Sequence, residues 1–87
     1  MNGKNVYLIT FRSVTYAQRG ERLLNRWGER CSLKRTPRWM EEQGCGYSLR
    51  LQTGNIARAV SVLRGEQLPL RKVYVQCDDG GLEEVTV

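Results

Sequence analysis

The chain contains no histidine, and that gap alone removes several chemistries. A Ser–His or Cys–His catalytic pair is excluded, so any nucleophile must be activated by cations, a helix end or a partner protein. Cysteine is scarce as well. Cys31, Cys45 and Cys77 form no CxxC pair, and a zinc site would have to join scattered thiols to a carboxylate, so no metal site is expected. The odd count, with no secretion signal, argues for free thiols over a disulfide framework. No run approaches the ~18 to 20 apolar residues of a membrane span. Met1–Asn5 lacks the apolar core of a signal peptide and leads straight into a strand pattern. The expectation is a cytoplasmic protein without a membrane segment. No repeat, low-complexity tract or linker is present. The 87 residues suit one domain, with a core over about 6–77 and a hairpin or loose tail over 78–87.

What is plentiful is positive charge: 14 Lys+Arg against 9 Asp+Glu leave a net +5. Much of the excess lies between Arg12 and Arg38, whereas Asp78-Asp79 and Glu83-Glu84 make the C-terminal stretch acidic. This balance permits contact with nucleic acid or an acidic partner and identifies neither. Arg19, Arg22, Arg26 and Arg30 follow a helical stripe. A solvated face is its commoner explanation, and docking of an acidic partner is the sharper one.

Val6 to Phe11 is apolar at nearly every position and rich in β-branched and aromatic residues, which suits a central strand. Ser13 is a good N-cap, and Val14, Ala17, Gly20, Leu24 and Trp27 then recur at helical spacing up to a helix-ending Gly28. Trp27 reads as a core anchor at the end of that helix. Cys31 to Arg35 alternates like an edge strand, and Pro37, unable to donate to a ladder, closes it. Tyr47 to Leu51 alternates again. Thr53 or Asn55 can cap a second helix whose Ile56, Ala59, Val60 and Leu63 give the clearest helical signature, ended by Gly65 with Pro69 beyond. Lys72 to Cys77 is a fourth strand, and Asp78-Asp79-Gly80-Gly81 has the composition of a turn. Leu82 to Val87 fits a short fifth strand or a loose end equally well.

The order β-α-β-β-α-β predicts an α+β fold, the ferredoxin-like two-layer sandwich of two helices on an antiparallel sheet with its first and third strands central. One edge of that sheet would gather the end of strand one, the start of helix one and the start of strand three. Cys45, between Gly44 and Gly46, falls there. The glycines can serve a tight turn around a small apolar filler, or they can leave a thiol open to a visitor. Arg12, Ser13 and the first helix amides would favour the thiolate, as would Arg38 if it turns inward. Cys31 and Cys77 fall at the far end of the sheet and read as small apolar residues.

Phe11-Arg12-Ser13-Val14-Thr15-Tyr16-Ala17, Leu23-Leu24, Thr36-Pro37-Arg38 and Cys45-Gly46-Tyr47-Ser48-Leu49-Arg50-Leu51 together resemble a family of small bacterial domains described as selenium/sulfur carrier-like. The resemblance runs from about Val6 to Leu63. It implies a carrier, not a catalyst, that holds a persulfide or selenosulfide on Cys45, with no cofactor and with a cysteine desulfurase or a selenium-metabolism protein as partner. Pro37, Gly44 and Gly46 are its motif residues, and Arg12, Ser13 and Arg38 would stabilise the thiolate. Trp39 to Gln43 is bulkier and more acidic than the small polar residues of that family, and its carboxylates would partly offset the arginines. Glu41-Glu42 otherwise reads as an exposed acidic turn.

Two other readings use the uncovered sheet face. An RNA-binding module would need Tyr7 and Tyr47 near Arg35 and Arg50, but Tyr47 to Leu51 lacks an RNA-recognition consensus, so nucleic acid is not the expected partner. A plain interaction subunit would pair as a homodimer through that face, for which Ile9, Phe11 and Tyr74 are candidates.

Overall fold

A computed structural model describes residues 5–36 and 46–87. In chain order the elements are β1 (Asn5–Thr10), α1 (Val14–Arg26), β2 (Arg30–Arg35), β3 (Tyr47–Thr53), α2 (Ile56–Gly65), β4 (Val73–Gln76) and β5 (Leu82–Val85). The strands form one sheet in the order β2-β3-β1-β4-β5, and every neighbouring pair is antiparallel. β1 and β3 lie side by side in its interior, as the order of elements predicts. The tail forms a fifth strand rather than remaining loose. Its turn follows from its residues: Gly80 takes φ +87°, and Gly81 N donates to Asp79 Oδ1 at 2.8 Å.

α1 starts where Ser13 caps it, the hydroxyl accepting from Tyr16 N at 3.2 Å. Ala17, Gly20, Leu23 and Leu24 are its buried stripe. The helix ends in a Schellman turn: Gly28, at φ +83°, donates to Asn25 O, and Glu29 N donates to Leu24 O at 2.9 Å. α2 is capped by Asn55, whose side chain accepts from Arg58 N at 3.1 Å, while Thr53 Oγ1 accepts from Asn55 N. Both candidate caps therefore act, each on a different amide. α2 buries Ala59, Val60 and Leu63 beside α1 on one face of the sheet. At about 1.5–3 kcal/mol for each large side chain fully buried, this shared layer is the main force holding helices to strands.

Two sequence expectations are corrected here. Ile9 and Phe11, expected on the uncovered face, are 0% exposed and belong to the core beneath the helices. In a strand apolar on nearly every residue, alternation carries no signal for which side meets the helices. The helices cover Tyr7 and Ile9, so Leu8, opposite Tyr74, lies on the other face. Trp27 is no core anchor either: it is 52% exposed. It occupies the C-cap, where the backbone leaves helical geometry (φ −86°, ψ 9°) and the buried stripe with it. The Arg58 guanidinium lies 5.7 Å from the Trp27 ring centroid and is paired with Glu29 at 3.0 Å.

Candidate functional site

The sheet end formed by the C-terminus of β1 and the N-terminus of β3 carries the described candidate residues Arg12, Ser13 and Gly46. The last register pair there is Thr10 with Ser48. Thr10 is also tied to the approach to β4: its amide donates to Lys72 O at 2.9 Å, its hydroxyl accepts from Lys72 N at 3.0 Å, and Arg71 N donates to its carbonyl at 2.8 Å. Beyond Thr10 the chain buries Phe11, exposes Arg12 and enters α1 through Ser13. Ser13 uses its hydroxyl on Tyr16 N and its carbonyl on Ala17 N at 3.2 Å. The amides of Val14 and Thr15 have no hydrogen-bond partner among the described residues. They carry the positive end of the helix dipole.

On the neighbouring strands, Thr36 N donates to Gly46 O at 2.8 Å. Gly46 is buried, with φ +83°, a conformation an L-residue rarely adopts, so glycine is needed at this position. The segment between these residues thus leaves and rejoins the sheet at one point, on the same sheet end as Arg12 and Ser13. Pro37, Arg38, Gly44 and Cys45 lie outside the described residues, as do Trp39 to Gln43. The structure therefore places Arg12, Ser13 and Gly46 at the same end of the sheet. Sequence reasoning missed Ser48, whose hydroxyl is buried at this end with no hydrogen-bond partner among the described residues. Its place in an alternating strand gave no sign of that burial.

The two described thiols are at the opposite end, in surroundings that disfavour the thiolate. Cys31 faces the helices opposite Leu51, and its thiol donates to Glu21 O at 3.6 Å. Burial, with Glu21 and Glu29 adding to it, pushes this thiol from an ordinary 9.0 up to about 11. Cys77 follows β4. Desolvation and the carboxylates of Glu83, Asp79 and Asp78 push its thiol up as well. Both are free. Three strand steps of ~4.8 Å separate β2 from β4, beyond the ~7 Å that a disulfide tolerates between Cα atoms.

Neither aromatic residue considered for RNA faces the open side. Tyr7 packs against the core, and Tyr47 shares the face of Leu49, with its hydroxyl accepting from Arg35 Nη1 at 3.2 Å. Arg50 lies on the other face, opposite Leu8. Among the described residues no group of His, Cys, Asp or Glu is arranged to hold a metal ion. Among them, too, no helix is long and apolar enough to cross a membrane. No curated protein and no solved structure matches the chain significantly. A family model does match, over most of the chain and across both stems of the Thr36–Gly46 junction. The chain belongs to the family described as "Putative Se/S carrier protein-like", matched over residues 6–75.

Proposed function

We propose that the protein is a sulfur or selenium carrier, not an enzyme, with Cys45 as its carrier thiol. Membership of the Se/S carrier-like family over residues 6–75 is the observation that carries this reading. The inner strands, β2-β3-β1-β4, have the order of the split βαβ fold, which supports a ferredoxin-like scaffold. Cys45 directly precedes Gly46, so one peptide bond links it to the sheet end that carries Arg12 and the capped start of α1. Arg12, Arg38, Ser13 and the first α1 amides would favour its thiolate. A free cysteine near pKa ~8.5 is only a few per cent thiolate at neutral pH, and lowering it by about one unit raises that to roughly a quarter.

In the transfer, Cys45 thiolate attacks the outer sulfur of a persulfide on a donor cysteine. A new S–S bond forms at Cys45, the donor's S–S bond breaks, and its electron pair leaves with the donor cysteine as thiolate. No external oxidant is needed. The donor is a cysteine desulfurase or a selenium-metabolism protein, met in the cytoplasm. Incubation with a cysteine desulfurase and cysteine, followed by intact-mass analysis, tests this. Cys45→Ser abolishes the added sulfur mass, while Cys31→Ser and Cys77→Ser load like the parent. Equal loading of all three variants sinks the proposal. A homodimer through the sheet face carrying Leu8 and Tyr74 belongs to the same reading, and sedimentation at several concentrations reads it directly.

A further inference from the structure

The outer side of α1 holds charges that no other described residue answers. Arg19, Arg22 and Arg26 are exposed and recur three and four residues apart, which lines them along one side of the helix. None of them has an ion pair or hydrogen bond among the described residues, whereas Arg58 is held by Glu29 and Lys72 lies 4.0 Å from Glu84. Like charges at this spacing repel, so the stripe is a local cost to an isolated helix.

The same arginines edge a groove. With Leu23, Glu66 and Leu68 they line a recess of about 150 Å³. A second recess, of about 270 Å³, shares Leu68 with it and is otherwise lined by Arg64, Gln67 and Pro69. Between the cations Leu23 and Leu68, 8% and 2% exposed, show only a narrow apolar edge, which exposed Pro69 extends. The turn after α2 sets this edge: Gln67 adopts φ +58° and Leu68 N donates to Leu63 O at 3.0 Å, which turns the chain toward α1.

We propose that this groove docks an acidic segment of a partner protein, its carboxylates meeting Arg19, Arg22 and Arg26 and one apolar side chain resting on Leu23 and Leu68. Charge complementarity selects an anion, and the apolar edge selects a peptide over a nucleic acid. A phosphate backbone gains nothing from an apolar edge. Base stacking finds no aromatic residue in the lining. An amphipathic acidic segment uses both features. Docking there needs nothing from the Cys45 thiol.

The test titrates the isotope-labelled full chain, followed by amide NMR, with three probes at low salt. They are a glutamate-rich peptide bearing leucines at helical spacing, its lysine-for-glutamate counterpart, and an oligouridylate of matched charge. The expected result is shift changes confined to residues 19–26 and 64–69 with the acidic peptide. Arg19→Glu/Arg22→Glu then binds it on the order of tenfold more weakly, while Arg50→Glu, on the opposite sheet face, stays within about twofold. Should the double variant fail to fold, Arg22→Gln, which keeps helix propensity, still loses several-fold in affinity. No shifts at low salt, shifts spread over the whole basic surface, equal binding of the oligouridylate in the groove, or undiminished binding by the folded variants overturns the proposal.

Discussion

Gln67 carries an unusual burden for its residue type. It holds φ +58° so that the chain after α2 can turn back, with Gln67 N bonded to Arg64 O and Leu68 N to Leu63 O. Left-handed backbone costs a side-chain-bearing residue roughly 1–2 kcal/mol, of which glycine's extra unfolded-state entropy returns a part. Gln67→Gly is therefore expected to stabilise the fold by about 0.5–1 kcal/mol, read as a higher urea midpoint at unchanged slope. Nothing in the sequence marks this position, because Gly65 nearby is the residue that chemistry would nominate. Cys31 is a second residue whose surroundings, not its type, set its behaviour. Its thiol is raised to about 11 from 9.0. The native state keeps this proton after the unfolded chain has released it, so the stability it contributes is full below about pH 9 and fades as pH rises toward 11. Urea unfolding between pH 8 and 11 should show the parent losing more stability than Cys31→Ala across that window. Parallel curves count against this assignment.

Among the elements, α1 shows how closely a helix can be drawn to a sheet. A Cβ on Gly20 would lie 3.1 Å from Leu49 Cδ1 and 3.2 Å from Phe11 Cζ, with Leu63 Cδ2 at 3.5 Å. All three neighbours are fully buried and cannot swing out. Gly20→Val is expected to destabilise by about 1–3 kcal/mol through overpacking, measured by thermal or urea unfolding. The same helix guards the sheet edge: Leu33 N on β2 donates to Glu21 Oε2 at 3.0 Å, so this edge amide is already satisfied. Helices and caps were legible because Ser13, Gly28 and the 56–59–60–63 spacing are local signals. The facing of β1 was not, since VYLITF is apolar at nearly every position and only the packed helices decide which side is inside. Trp27 misled for a related reason, being in step with the buried stripe by number but past the last helical residue in geometry.

For the molecule as a whole, topology sorts the cysteines. The register places Cys31 and Cys77 at one end of the sheet and Thr36, Gly46 and the start of α1 at the other. That separation was readable from element order, because an antiparallel sheet assigns ends once strand order is known. The environment of Cys45 was not, since it depends on where long side chains such as Arg12 and Arg38 point. Iodoacetamide labelling of the native chain at pH 7, mapped by mass spectrometry, should mark Cys45 well before the other two. Comparable rates at all three thiols would count against a privileged carrier site.

The bond from Thr36 to Gly46 finally bears on how such a protein can diversify. Because the backbone closes on itself before the intervening stretch begins, the sheet receives the same two anchor points whatever is written between them. Insertions or swaps there should leave the unfolding midpoint of the scaffold nearly unchanged, much as a tool head is exchanged on an unchanged handle.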